Sequence, residues 1–120
     1  MINLPPKILL APEREIIQFI CHNFDGEKGD EFIVCFENEV VVYDNDFVAL
    51  KKIPINPNYR KLQFIGNTMG YINQFDELVI VNKGEVSVVE DAINFRFDTH
   101  KNQTRILVEG KNNIKLLLNN

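Results

Sequence analysis

Two stretches of this chain, residues 30–46 and 76–92, read as two copies of one segment. They align without a gap at a constant offset of 46 residues. Asp-Glu opens both copies, and a Glu-Val-x-Val motif stands at the same place in each, starting at Glu39 and at Glu85. A repeat period in the forties is typical of modular β architectures, in which one small unit recurs along the chain. We therefore expect an all-β protein built from tandem units.

Each copy is expected to form a β-hairpin. In the first copy, β-rich runs at 31–36 and 39–44 flank the two-residue loop Glu37-Asn38, and in the second, runs at 78–82 and 85–90 flank Lys83-Gly84. Two short β-rich runs on either side of a two-residue loop indicate a hairpin. Equal loop length also gives the two hairpins equal register.

Further apolar runs flank both hairpins and predict four antiparallel strands in each unit. In the first unit they lie at 16–22 and 47–53. In the second, a strand at 62–65 is extended past a bulge by 69–73, and 95–97 closes the unit. The segment 54–58 is read as a linker, because its two prolines do not fit a central strand.

The whole chain is expected to form one domain over residues 1–120. Its units are about 16–56 and 61–98, and a partial third unit lies at 104–118. That third unit is predicted as a hairpin of strands 105–109 and 114–118, after a polar loop at 99–103. A β-sandwich or a flattened barrel is the alternative arrangement of the same strands.

Residues 12–24 admit two readings. Pro12 followed by Glu13 suits the start of a helix, and several large apolar residues then recur at helical spacing. The repeat favours a strand at 16–22 after a turn at 12–15, which is the reading we prefer.

The four-strand units with a period near 45 resemble blades of a WD40-like β-propeller. The resemblance covers about residues 16–118 and lies in the rhythm of strands, since the chain has no Trp and therefore no Trp-Asp signature. It implies that exposed strand edges or blade faces bind other proteins. Two units and part of a third are too few to close a ring, because propellers have four to eight blades.

Composition limits the class of protein. A chain of 120 residues, 45% hydrophobic and 25% charged, is long enough to bury a core without disulfides or metal. A net charge of −4 disfavours phosphate-backbone binding, so no nucleic acid partner is expected. No membrane association is expected either, since no apolar run approaches 18 residues. Two cysteines do not make a disulfide framework, and the expected location is cytoplasmic or nuclear.

Three groups of residues carry side chains that can bind metals or act in catalysis. The acidic, glycine-rich loop at 25–31 lacks the EF-hand spacing for calcium and is read as a solvated loop. Cys21, His22, Cys35 and His100 lack the close pairs typical of zinc sites, and no basic cluster activates either thiol. Recurring carboxylates such as Glu39 and Glu85 are read as the exposed half of alternating strands. We expect no enzyme activity, no catalytic residue, no cofactor and no metal.

The sequence therefore predicts a non-catalytic protein-interaction module that acts as a scaffold or small subunit of a larger assembly, or assembles with itself. Its expected partner contacts come from exposed side chains near the inter-unit linker and the first hairpin, namely Tyr59, Arg60, Lys61, Tyr71, Asp44 and Asp46. The alternative is a small acidic inhibitor or immunity-type protein that blocks a basic enzyme, for which small size and net negative charge are the support.

Overall fold

The computed structural model describes residues 5–23 and 29–118. Within these ranges the chain forms eleven β-strands and no helix. The prediction of an all-β protein made of antiparallel meanders is confirmed. The strands form three separate sheets of four, four and three strands, and none of them closes into a barrel.

Sheet A contains the first four strands in chain order. They are β1 (Gln18–His22), β2 (Glu31–Cys35), β3 (Glu39–Tyr43) and β4 (Ala49–Pro54). The helix alternative for residues 12–24 is wrong over the part that the structure describes, because β1 pairs with β2 along its whole length. The two-residue loop Glu37-Asn38 is confirmed, since the Phe36 amide donates to the Glu39 carbonyl at 2.8 Å.

Sheet B repeats this meander. Its strands are β5 (Arg60–Ile65), β6 (Thr68–Ile72), β7 (Leu78–Asn82) and β8 (Glu85–Val89), hydrogen-bonded in that order. Lys83 and Gly84 join β7 to β8 with φ angles of 51° and 82°. Positive φ at both central residues gives the tight turn whose twist matches that of the strands.

Sheet C contains β9 (Asn94–His100), β10 (Gln103–Glu109) and β11 (Ile114–Leu118), with β10 in the centre. The predicted hairpin of 105–109 and 114–118 is confirmed by the pairing of β10 with β11. The predicted polar loop at 99–103 is wrong, because β9 continues to His100 and turns back through only Lys101 and Asn102.

The three sheets are stacked in chain order, and two hydrophobic cores join them. Successive strand residues point to opposite faces, so each inner sheet face covers the next. The core between sheets A and B contains Ile33, Cys35, Val40, Val42, Ile53, Ile55, Met69, Tyr71 and Val79. The core between sheets B and C contains Ile72, Leu78, Ala92, Phe95, Ile106 and Val108.

Hydrogen bonds tie the first strands of neighbouring sheets together. His22 Nε2, at the end of β1, lies 2.8 Å from the carbonyl oxygen of Gly66. Gln63 of β5 donates its side-chain amide to the Phe95 carbonyl of β9 at 2.9 Å. The stack is therefore held together along its first strands, while the fourth strands β4 and β8 are largely exposed.

The sequence repeat and the sheets are out of step by one strand. The first repeated hairpin forms the second and third strands of sheet A, whereas the second forms the third and fourth strands of sheet B. As a result Ile33 faces sheet B, but Val79, its equivalent in the alignment, faces sheet A. The expectation that 95–97 closes the second unit is wrong, since these residues belong to β9 of sheet C. Residues 69–73, expected to extend β5, instead contribute to a strand of their own, β6.

Candidate interaction surface

Stacking leaves two sheet faces without a neighbouring sheet among the described residues. One is the outer face of sheet A, on the side away from sheet B. The other is the outer face of sheet C, on the side away from sheet B at the opposite end of the stack. Both carry large apolar side chains that solvent reaches, including Phe19 on sheet A and Leu116 on sheet C, each more than half exposed.

Four aromatic rings follow one another on the outer face of sheet A. The ring centroids of Phe19 and Phe32 are 5.8 Å apart, and those of Phe32 and Phe47 are 4.8 Å apart with planes only 8° from parallel. Tyr43 continues the series at 6.1 Å from Phe47. We call these four residues the aromatic row. Stacked rings on strands form a rigid apolar surface with few rotamers to lose on binding.

Phe47 holds its place in the row through an unusual backbone conformation. Its φ angle is 59°, in the left-handed region that a bulky side chain rarely occupies. One carboxylate oxygen of Asp44 accepts the amide protons of Asp46 and Val48, both at 2.9 Å. The Phe47 amide also donates to the Asp44 carbonyl at 3.0 Å. Asp44 therefore organises the turn that lays the Phe47 ring on Phe32.

The segment before β1 crosses the same face of sheet A. We call residues 5–17 the arm. Leu10 packs against the buried side chains of Val34, Phe36 and Val41. Arg14 stacks its guanidinium 3.7 Å from the centre of the Phe36 ring and forms an ion pair with Glu39. The arm thus covers the part of this face beside the aromatic row.

The remainder of the arm is exposed. Ile8 and Leu9 keep 81% and 58% of their surface in contact with solvent. Residues 7–11 belong to no strand. Prolines at positions 5, 6 and 12 border this five-residue stretch.

The outer face of sheet C carries an apolar row along its last strand. Ile114, Leu116 and Leu118 alternate on β11 and are 71%, 52% and 53% exposed. Farther into the sheet, Arg105 donates to the Asp98 carboxylate at 2.6 Å. That hydrogen bond lowers the pKa of Asp98 below its ordinary value. The face is therefore apolar at its free edge and charged towards its centre.

A cleft of about 420 Å³ separates sheets B and C next to the free edge of β11. Ile80, Val89 and Leu117 supply its apolar walls, while Asn82 and Ser87 contribute polar groups. The side-chain oxygen of Asn82 is buried there without a hydrogen-bond partner among the described residues. Leaving a buried oxygen unpaired costs free energy.

The residues predicted from sequence to contact a partner divide among different environments. Tyr71 is only 3% exposed and donates its hydroxyl to Asn56 Oδ1 at 2.9 Å, so the expectation that it is exposed is wrong. Tyr59 is half-buried and donates its hydroxyl to the Phe36 carbonyl at 3.1 Å. Burial, with a further contribution from nearby Cys35, raises the pKa of Tyr59 to about 12. Both tyrosines pack in or against the core between sheets A and B.

Arg60 and Lys61 follow at the start of β5. Arg60 forms an ion pair with Asp76 and donates to the Asn73 carbonyl at 3.0 Å. Lys61 is exposed, with a φ angle of 58°. These two lie at the junction of sheets A and B, whereas Asp44 and Asp46 lie in the turn beside the aromatic row. The structure therefore does not bring the six predicted residues together in one site.

The residues considered for metal binding or catalysis are also dispersed. Cys35 is fully buried, and burial raises the pKa of its thiol to about 11, while Cys21 is exposed. Residues 25–28 of the acidic loop lie outside the described residues. Among the residues that are described, no group of three or more His, Cys, Asp or Glu side chains is placed to hold a metal ion. No helix in the same part of the chain is long and apolar enough to cross a membrane.

Comparison with known proteins found no matching family model, curated protein or solved structure. The geometry of this chain is therefore the basis for inferring its function.

Sequence reasoning missed all four members of the aromatic row, namely Phe19, Phe32, Tyr43 and Phe47. A usable signal for two of them was present, because Phe32 and Tyr43 lie near the open end of the predicted first hairpin, on its two neighbouring strands. Phe47 gave no such signal, since its position depends on a backbone conformation that the sequence does not favour for phenylalanine.

Proposed function

We propose that this chain is a non-catalytic protein-interaction module, a propeller-like unit that binds other protein surfaces through the outer faces of its stack. The observation that carries the proposal is the aromatic row, which lies on a sheet face with Phe19 54% exposed. Inside the stack, equivalent faces are covered by the next sheet. Exposed apolar patches of this kind mark sites of protein interaction.

The charge around the row favours a protein over a nucleic acid. Aromatic stacks on sheets also bind bases, but such sites combine the rings with basic groups that neutralise phosphates. Here Asp44 and Asp46 stand at one end of the row, and the chain carries a net charge of −4. Both features repel a phosphate backbone.

The turn that carries Phe47 supports the same conclusion. Left-handed backbone at a bulky residue costs about 1–3 kcal/mol and is concentrated at functional sites. The two hydrogen bonds accepted by Asp44 hold the ring in place before any partner arrives. A surface organised in advance loses less entropy on binding.

The acidic-inhibitor alternative stays a prediction, because its support is small size and net charge, and the aromatic row does not favour it.

The test compares two exposed phenylalanines as bait variants. Phe19→Lys alters the aromatic row, whereas Phe75→Lys alters a residue that is 70% exposed in the turn between β6 and β7. Tagged wild-type and variant chains are used to capture proteins from cells that express the gene. We expect a protein captured by the wild type and by Phe75→Lys, including another copy of the chain, to be lost with Phe19→Lys. Equal capture by all three baits would contradict the proposal.

A further inference from the structure

We propose that a second copy of this chain completes sheet C by adding residues 7–11 of its arm as a fourth strand along the free edge of β11. This inference rests on the proposed function and names the partner. It begins from the strand count, because sheets A and B have four strands each and sheet C has three within the described residues.

The free edge of β11 has unpaired backbone groups in the right places. The Gly110 amide donates to the Asn113 carbonyl at 2.8 Å, which makes these two a hydrogen-bonded pair. Pairs alternate along an antiparallel ladder. The amides and carbonyls of Ile114, Leu116 and Leu118 therefore point away from β10, towards the open edge. An added strand would bond to these three residues.

The space beside this edge suits a strand. The cleft between sheets B and C lies where a fourth strand of sheet C would stack on β8. Between sheets A and B, the fourth strand β8 directs Val86 towards the equivalent opening beside Ile53, and Val88 lies on the same face of β8. By this internal template, the added strand directs apolar side chains into the cleft.

Residues 7–11 of the arm match this place. They are five residues long, as is β11, and the prolines that block strand pairing stand outside them. The sequence Lys-Ile-Leu-Leu-Ala supplies apolar side chains to both sides of the strand. Beside β11 the outer face is apolar, and the cleft has apolar walls together with the polar groups of Asn82 and Ser87. Ile8 and Leu9 are already exposed and lose few contacts when they move, whereas Leu10 gives up its contacts with the cluster of Val34, Phe36 and Val41.

Sheet C of the same chain is too far away for the arm to pair with it. The arm is fixed at Ile17, whose amide donates to the Cys35 carbonyl at 2.8 Å. Six residues from position 11 to position 17 span at most about 20 Å. The path to the place of the added strand beside β11 crosses two sheet spacings of about 10 Å and three strand spacings of about 5 Å, or roughly 25 Å in a straight line. A second copy is therefore the better donor.

The stacking order indicates how two copies meet. In the A–B and B–C contacts, the face that one sheet turns towards the next sheet in chain order meets the face that the next sheet turns back towards it. We call these the forward and the backward face of a sheet. The outer face of sheet C is directed forward, and the outer face of sheet A is directed back. A head-to-tail contact between two copies would continue this order and bring the arm of one to β11 of the other. Two reciprocal contacts give a ring of six four-stranded sheets, within the range of four to eight that closes.

Direct pairing of β11 with β11 of another copy is disfavoured. Such a pair would be related by a two-fold axis normal to the sheet, which places both copies of sheet B on the same side of the joined C sheets. Strand β8 of each copy would then overlap with sheet B of the other copy. Residues 7–11 of the arm can pair with β11 without bringing a second sheet B to that side, so this overlap does not arise.

Disulfide trapping tests the proposed contact. One chain carries Leu9→Cys and a tagged chain carries Leu116→Cys, both in a Cys21→Ser background. Leu9 and Leu116 are the middle residues of the two five-residue stretches, so they lie opposite each other whichever way the added strand runs. The control pairs Leu9→Cys with Phe75→Cys, whose side chain is also exposed. We expect the first pair to form a mixed covalent dimer at least ten times faster than the control.

Three outcomes would overturn the inference. They are equal rates for both pairs, faster trapping of Leu116→Cys with itself, and a disulfide within one monomeric chain that carries both substitutions. None of these results changes the expected loss of capture with Phe19→Lys, so failure of this inference and failure of the proposed function are distinguishable.

Discussion

Gly70 of β6 lies directly beneath the ring of Phe95 of β9. A Cβ atom at Gly70 would stand 2.9 Å from Cε2 of Phe95 and 3.0 Å from Cζ of Phe97. The two rings meet edge to face, with centroids 5.5 Å apart. Sheets B and C therefore approach closely because one strand lacks a side chain where two rings of the next sheet need room.

Gly70→Ala is expected to destabilise the fold. The φ angle of Gly70 is not positive, so the cost comes from the collision with the rings rather than from backbone strain. Overpacking of this kind costs about 1–3 kcal/mol. Urea unfolding measures the change, with Ser87→Ala as the control, at an exposed position of β8 where the cleft between sheets B and C is open. A loss of stability no larger than that of Ser87→Ala would contradict the packing described between sheets B and C.

Asp44→Ala is expected to release the turn that holds Phe47. The substitution removes the acceptor for the amides of Asp46 and Val48, and the expected loss of unfolding free energy is about 1–2 kcal/mol. Asp46→Ala is a matched control two residues away, on an exposed side chain. Near-ultraviolet circular dichroism should also change for Asp44→Ala, because Tyr43 packs against Phe47. Identical behaviour of the two variants would remove the role assigned to Asp44.

The two thiols should differ in reactivity. Cys21 is exposed, whereas Cys35 is fully buried and its pKa is raised to about 11. Since the thiolate is the reactive form, Ellman's reagent should titrate one thiol rapidly in the native protein and both in denaturant. Cys21→Ser should abolish the rapid phase. Rapid labelling of two thiols in the native protein would show that the core between sheets A and B is open.

Stability should decline at alkaline pH. Burial raises the pKa of Cys35 from 9.0 to about 11 and that of Tyr59 from 10.0 to about 12. Both groups hold their protons more tightly when folded. The contribution of Cys35 is complete below pH 9 and is lost as the pH rises through 11, and that of Tyr59 is complete below pH 10 and is lost as the pH rises through 12. The slope is at most about 1.4 kcal/mol per pH unit for buried Cys35, and it is smaller for half-buried Tyr59 because solvent screens it. Unfolding free energies for Cys35→Ala should lose the part of this slope between pH 9 and 11, and Cys21→Ala should keep it. A flat profile for the wild type would be contrary to this expectation.

The sequence was sufficient to predict the strands because their signals are local. The hairpins around Glu37-Asn38 and Lys83-Gly84 were read correctly from β-rich runs and two-residue loops. The grouping of strands into sheets was not, since it depends on which strand pairs with which. Residues 69–73 looked like an extension of β5 but contribute to a strand of their own, and this moved 95–97 into sheet C.

The candidate surface was less accessible from sequence than the fold. Tyr71 was expected at the surface, yet alternation along β6 directs it into the core between sheets A and B. Phe19, Phe32 and Phe47 come from three separate segments that only the folded sheet brings together. Asp44 was predicted to contact a partner, and that stays a prediction; the contacts that the structure shows are with the backbone of its own turn.

The solution mass of the wild-type chain tests the account most directly. Light scattering coupled to size-exclusion chromatography should give twice the 13.9 kDa of one chain. Leu116→Pro removes an amide at the free edge of β11 and should give the monomer mass. Val86→Pro removes the equivalent edge amide of β8, where the sheet already has four strands, and should keep the dimer. A wild-type chain that stays at 13.9 kDa at every concentration, or a dimer that Leu116→Pro leaves intact, would contradict the account.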